Sequence, residues 1–361
     1  MSSTAAAARP RPPEERSAAP IRVAIVDDSA IARAVLGRMV SSQSGLEVVV
    51  EARDAAEAVR LLPAARAEIV LLDVEMPGES GLEALPAILA AAGGARVLIV
   101  SCLCESGAAA TVEALARGAA DTLPKPGVES FGGRFSTVLA ERIRSLARPG
   151  ERREPTVADG AFDLRAMPRG TLGCLAVGAS TGGLHAIAGF LEALPSGIGA
   201  PLLVTQHLPD TFMPFFARQI EAASGRRVRI ARDGMALHAD EILLAPGDAH
   251  LGLARNGTQV AVALRRERAA SGCMPSVDVM LADVAAVYGR GGLGVVLSGM
   301  GRDGLAGARE LVGRGGAVIV QDRASSAVWG MPRAIAEAGL ASAVLGPAEL
   351  ARRSASRAGR P

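Results

Sequence analysis

IRVAIVDDSAIARAVLGRMV, residues 21–40, decides the fold class of this chain. Its first half is an apolar run in which Val23, Ile25 and Val26 lead to two aspartates, Asp27 and Asp28. A short apolar run that stops at polar residues is the pattern of a strand buried on both faces. The second half spaces Ile31, Val35, Leu36, Met39 and Val40 as one apolar face of a helix. A buried strand feeding straight into such a helix is the start of a βαβ unit.

The alternation continues outward from there. LEVVVEA (46–52), EIVLLD (68–73), RVLIVS (96–101) and the short ADTLPKP (120–126) read as strands. AAEAVRLL (55–62), LEALPAIL (82–89) and TVEALARG (111–118) read as helices between them. The stretch 148–170 is polar, charged and dotted with Pro and Gly, as a linker is. A second alternating unit follows, with strands in LGCLAVGA (172–179), APLLVTQH (200–207), EILLAPGD (241–248), GLGVVLSG (292–299) and GAVIVQD (316–322). GTQVAVALRR (257–266) is expected to form a hairpin with EILLAPG. The predicted plan is α/β, two doubly wound parallel-sheet domains: a disordered tail 1–20, a domain 21–147, a linker 148–170, a domain 171–350 and a frayed tail 351–361.

Composition narrows the function classes. A net charge of +2, with one Trp, one Tyr and seven Phe, gives neither the basic footprint nor the stacking platforms of a nucleic-acid binder. The first twenty residues lack the apolar core of a signal peptide, and no apolar run is long enough to span a bilayer, so a cytoplasmic protein without membrane insertion is expected. Cys102, Cys104, Cys174 and Cys273 show no zinc-finger spacing and are expected to be buried, reduced thiols.

In the first unit the chemistry-bearing residues stand where strands stop: Asp27 and Asp28, then Asp73, Ser101 and Lys125. Strand carboxyl ends gather at one edge of a doubly wound sheet. Three carboxylates there repel unless a hard cation such as Mg²⁺ sits among them. With a lysine alongside, the set suits phosphoryl transfer to an aspartate. Capping of the following helices explains any one aspartate but not all five residues. VDDS (26–29), LLDVEMPGESG (71–81), VLIVS (97–101) and ARGAADTLPKP (116–126) resemble the receiver domains of two-component response regulators, which have a flavodoxin-like fold. The resemblance implies that Asp73 accepts the phosphoryl group from a sensor histidine kinase. It also implies that Asp27, Asp28, Asp73 and the Glu75 backbone carbonyl hold Mg²⁺, and that Ser101 and Lys125 sense the phosphoryl group. Thr122 stands where that family often carries an aromatic switch residue, a departure that bears on rotamer coupling and not on phosphorylation.

In the second unit CLAVGASTGG (174–183) leaves three readings of Ser180: a nucleophile on a strand-to-helix turn, a helix cap, or a wall of a phosphate cradle. The glycines at 178, 182 and 183 do not make the dinucleotide-binding spacing. A nucleophile needs a base, and that base an orienting acid. Of the four histidines, His207 ends a strand and shares an edge with Ser180, whereas His185, His238 and His250 do not. Asp303, among the glycines of LSGMGRDG (297–304), is preferred as the acid over Asp322, which reads as a cap. The chain order Ser, His, acid differs from that of α/β-hydrolases.

GASTGG (178–183), TQHLP (205–209), APGDAHL (245–251), PSVDVML (275–281), LSGMGRDG (297–304) and QDRASSAVWGMPRAIAEAG (321–339) resemble the catalytic domain of chemotaxis protein-glutamate methylesterases. That family also carries a receiver in front. The resemblance implies a Rossmann-like serine hydrolase domain with catalytic Ser180, His207 and Asp303. Thr181 and the Met300 amide lie near its oxyanion site, and the esterase site needs no cofactor. Its substrates would be γ-glutamyl methyl esters on the cytoplasmic domains of methylated chemoreceptors, with deamidation of receptor glutamines alongside. The receiver is expected to pack over the Ser180 edge and to loosen on phosphorylation. The rival reading is a non-enzymatic signalling adaptor.

Overall fold

The computed structural model describes residues 19–101, 105–125, 133–147 and 162–357. The expected tail 1–18, most of the linker (148–161) and the last four residues lie outside them. So do Cys102 and Cys104.

The first domain is a five-stranded parallel sheet in the order β2-β1-β3-β4-β5. Its elements are β1 Ile21–Val26, α1 Ala30–Ser41, β2 Leu46–Ala52, α2 Ala55–Ala65, β3 Ile69–Leu72, α3 Gly81–Ala91, β4 Arg96–Ser101, α4 Glu105–Ala116, β5 Asp121–Pro124 and α5 Gly133–Ala147. Helix starts are set by local chemistry. The Ser29 hydroxyl caps α1, Asp54 caps α2, and Ser80 with Glu83 forms a capping box at α3. Since other residues cap α1 and α3, Asp27, Asp28 and Asp73 are free of that duty. One residue of the opening stretch departs from its reading: Ile31 is 79% exposed, and Leu36, Gly37 and Val40 carry the buried face of α1.

The second domain carries seven parallel strands in the order β14-β13-β12-β6-β7-β9-β8. Along the chain they are β6 Cys174–Ala179, α6 Gly183–Ala193, β7 Leu202–Gln206, α7 Met213–Ser224, β8 Val228–Ile230, β9 Ile242–Leu244, β10 His250–Asn256, β11 Gln259–Arg265, α8 Val277–Tyr288, β12 Gly292–Val296, α9 Leu305–Gly313, β13 Ala317–Gln321, α10 Met331–Glu337, β14 Ala341–Leu345 and α11 Pro347–Ala355. From β6 the chain winds one way to β7, and from β12 the other way to β13 and β14. The carboxyl ends of β6 and β12 therefore flank a topological switch point, where doubly wound sheets bind ligands.

Three sequence expectations are corrected. β11 pairs antiparallel with β10, His250↔Arg265 through Asn256↔Gln259, and not with residues 241–247, whose strand β9 joins the main sheet. The expected frayed tail from 351 is instead the docked end of α11, with Ala351 and Ser354 fully buried and Arg357 donating to the Gly292 and Arg290 carbonyls. The end of the expected linker is already part of the second domain. Phe162 packs edge-on against Trp329, and Arg165 bonds the Ala341 and Gly339 carbonyls. Among the described residues, no helix is long and apolar enough to cross a membrane.

The two domains share an apolar seam. Leu115 of α4 belongs to the same buried cluster as Leu184, Ile187, Leu208, Phe212 and Phe216. Polar contacts cross it too: Arg96 donates to the Ala327 carbonyl at 3.1 Å and Gln219 to the Val112 carbonyl at 3.0 Å.

Candidate active site

The first site lies at the ends of β1, β3, β4 and β5. Oxygens of Asp27, Asp28 and Asp73 lie within 4.8 Å of one another. Lys125 Nζ bridges Asp27 Oδ2 at 2.8 Å and Asp73 Oδ2 at 2.5 Å. Asp27 and Asp73 are buried and Asp28 is exposed. Burial raises the Asp73 carboxyl above the usual range, and Asp27 adds to this, against the pull of Lys125. Burial opposes the charge on Lys125, but the two aspartates outweigh it and raise its pKa. The Ser101 hydroxyl accepts from Thr111 Oγ1 at 3.2 Å, and the exposed Glu75 donates its backbone N–H to Asp73 Oδ1.

At the second site the turn after β6 is held unusually firmly. Gly183 N–H and Gln206 Nε2 both donate to the Ser180 carbonyl, at 2.7 and 2.9 Å. A side chain at Gly183 would place its first carbon 2.1 Å from Gln206 Oε1, so this approach requires glycine. A trans peptide points its N–H opposite to its C=O. Pinning the Ser180 carbonyl inward thus turns the Thr181 N–H outward. Among the described residues, the N–H groups of Thr181 and Met300 have no protein acceptor. The Met300 loop passes close by: a carbon added at Gly299 would lie 2.9 Å from Ser180 Cβ. The cap of α6 is Gly182, without a side-chain bond, so Ser180 does not cap that helix.

His207 follows the last residue of β7, and its backbone N–H donates to the Ala179 carbonyl. Its Nε2 lies 2.8 Å from Asp303 Oδ2. Asp303 is buried and saturated with donors: Val277 N–H at 2.7 Å, the Ser276 hydroxyl at 2.7 Å and Asp278 N–H at 3.3 Å. The carboxylate therefore sits at the amino end of α8, where the helix dipole favours negative charge. Burial alone would raise its pKa, but His207 and these donors outweigh burial and lower it. Burial likewise opposes charge on His207, yet Asp303 and Cys273 raise that pKa to about 9. The cost of crowding falls on Asp278, raised to about 6 by burial and the nearby Asp303 charge. Among the described residues Ser180 Oγ makes no hydrogen bond to His207, and the Cys273 sulfur lies within 4.8 Å of a His207 ring nitrogen. Asp322 caps its own turn, accepting from Ser325 N–H at 2.8 Å. His250 is buried between the Ser276 N–H and the Glu267 carbonyl, and His185 and His238 are exposed.

The first domain covers this edge. Leu115, Ala119, Ala120 and Asp121 face Ser180, Gly182, Leu184 and Gln206 across a crevice with room for about one water molecule. Thr181 Oγ1 donates to Asp121 Oδ2 at 2.8 Å, and Arg142 bonds both groups. Ser145 Oγ donates to Met300 Sδ at 3.0 Å. Asp121, Arg142, Gln206, Ser276 and Cys273 were not singled out by the sequence as site residues. Gln206 had a signal in its place beside His207, but the others join only through contacts between distant elements. Cys273 also departs from the expectation of a buried thiol, being half-exposed on the loop before α8.

Residues 175–353 match the family model of the CheB methylesterase, and residues 23–130 that of the response regulator receiver domain. The chain is 37% identical to protein-glutamate methylesterase/protein-glutamine glutaminase 1 of Paramagnetospirillum magneticum, over 92% of this chain and 94% of that protein. It is 39% identical to protein-glutamate methylesterase/protein-glutamine glutaminase 2 of Caulobacter vibrioides, over 90% of this chain and 95% of that one. The crystal structure of the Thermotoga maritima CheB methylesterase catalytic domain superposes with a TM-score of 0.50 at 32% identity, covering 52% of this chain and 98% of that one.

Proposed function

We propose that this chain, which belongs to the CheB methylesterase family and carries a response regulator receiver domain ahead of its catalytic domain, is a phosphorylation-regulated hydrolase of γ-glutamyl methyl esters on chemoreceptors. The observation that carries the reading is the buried His207–Asp303 pair at 2.8 Å beside the Ser180 turn, at the switch point of the sheet. Ser180 Oγ attacks the ester carbonyl as His207 takes its proton, and Asp303 holds the imidazolium. The Thr181 and Met300 N–H groups receive the oxyanion, each worth about 3 kcal/mol of barrier. His207 returns the proton to the departing methanol and then draws one from the water that frees the glutamate. A glutamine side chain fits the same scheme with ammonia leaving, so receptor deamidation belongs to the proposal.

The receiver site takes part as the switch. The all-oxygen set of Asp27, Asp28 and Asp73 suits a hard divalent cation, and the Glu75 backbone carbonyl would add a fourth oxygen. Mg²⁺ held by these residues would neutralise charge on the incoming phosphoryl oxygens. Asp73 is the acceptor of a phosphoryl group from a sensor histidine kinase, and Lys125 and Ser101 contact it. With Asp73 unphosphorylated, Asp121 and Arg142 hold Thr181 and the receiver blocks the Ser180 edge. The reaction takes place in the cytoplasm, on the cytoplasmic domains of the receptors.

Methanol release from methylated receptor membranes tests the reading. Ser180→Ala is expected to abolish it while leaving acceptance of phosphate at Asp73 intact. No release above the membrane background from the unmutated chain would leave the adaptor reading in its place, and unchanged release in the variant would remove Ser180 as the nucleophile.

A further inference from the structure

Cys273 is half-exposed, whereas Cys174 is sealed in the core. A Cys273 sulfur, a His207 ring nitrogen and an Asp303 carboxylate oxygen all lie within 4.8 Å of one another. Zn²⁺ binds these three donor types at about 2.0–2.3 Å in a tetrahedron, which sets donors roughly 3.3–3.8 Å apart. His207 and Asp303, at 2.8 Å, therefore need to part only slightly. The sulfur comes from a segment whose neighbours Ser271, Gly272 and Met274 are exposed, so it has room to close in. Asp303 is oriented from behind by Ser276 and Val277, the outer support that metal ligands require. Thiolate and imidazole favour Zn²⁺ over Mg²⁺, the reverse of the all-oxygen receiver site.

We propose that Cys273, His207 and Asp303 form an inhibitory site for a soft divalent cation of the Zn²⁺ type. The Cys273 thiol releases its proton to solvent as the sulfur–metal bond forms. With the metal on His207 Nε2, the neutral ring carries its proton on Nδ1, which then has no lone pair to take the Ser180 proton. The fourth position is left to water. The regulatory part of this inference rests on His207 being the esterase base.

The test uses the full chain, reduced, stripped with a chelator and saturated with Mg²⁺ so that the receiver carboxylates are occupied. Zn²⁺ is titrated against methanol release, and Co²⁺ is added separately to read thiolate-to-cobalt charge-transfer absorption. Stoichiometric Zn²⁺ is expected to silence the esterase, and a chelator to restore it. Cys273→Ser should lose the charge-transfer band and need at least about tenfold more Zn²⁺ for half-inhibition of its own metal-free rate. Equal bands and equal Zn²⁺ sensitivity in the two proteins would overturn the site, as would the absence of any band. A Cys273-dependent band in a protein without esterase activity would keep the metal site and overturn the catalytic reading alone.

Discussion

Gln206 is the residue whose contribution is least visible from chemistry alone. Its Nε2 helps fix the Ser180 carbonyl, and through the planar peptide this aims the Thr181 N–H. Its Oε1 is buried without a partner. Gln206→Met therefore removes a useful donor and an unsatisfied acceptor together, so thermal stability should change little. Turnover is expected to fall about tenfold or more with KM nearly constant, because the oxyanion donor is misaimed only in the transition state. A rise in KM at constant kcat would contradict that assignment. His207 makes a pH prediction. With its pKa raised to about 9, the imidazole is protonated at neutral pH and unable to act as a base. In chelator-treated protein kcat/KM should climb with pH until about 9 and then level off. The charged pair contributes stability that is fully present below the ordinary value of 6.5 and is lost as pH rises through about 9. A melting temperature that increased over that interval would go against the pairing. Ser180, His207 and Asp303 were legible in the sequence because each follows an apolar strand. Cys273 was not, because nothing local marks a loop thiol as the neighbour of a histidine 66 positions earlier.

Elements meet at this site in a way that spacing alone cannot convey. Asp121 opens β5, Lys125 follows its last residue, and Arg142 lies on α5. The same short strand thus joins the Asp73–Lys125 ion pair to the bond on Thr181. Asp121→Ala removes the acceptor of Thr181 Oγ1 and leaves the catalytic domain untouched. Basal methanol release should rise several-fold, roughly what 1 kcal/mol of lost closure yields. An unchanged basal rate would remove this contact from the regulation. The alternating strands and helices of both sheets were legible because buried parallel strands are continuous apolar runs. The partner of β11 was not, since a hairpin's register depends on the turn at Asn256–Gln259, while β9 was claimed by the main sheet. The end of α11 was missed for another reason. Its Arg-rich sequence looks solvated, yet the Arg357 guanidinium is satisfied by carbonyls next to β12.

For the whole molecule, two doubly wound sheets are set so that α4 and β5 of one close the switch point of the other. Deleting residues 1–147 uncovers Leu184, Leu208 and Phe212 along with Ser180, so esterase activity should increase as solubility declines. Activity that stayed level or dropped would argue against occlusion. The single tryptophan of the chain, Trp329, directly follows two residues of this seam, Ala327 and Val328. Trp329 donates its indole N–H to the Gln321 carbonyl at 3.0 Å and stacks edge-on to Phe162 at 5.9 Å. The residue before it, Val328, is buried with the receiver core, and the Ala327 carbonyl is held by Arg96. Separation of the domains releases the two residues before that indole, and its emission is expected to change with them. The protein thus carries its own optical gauge: ultraviolet emission from an unlabelled sample would follow domain opening in real time as phosphodonor is added.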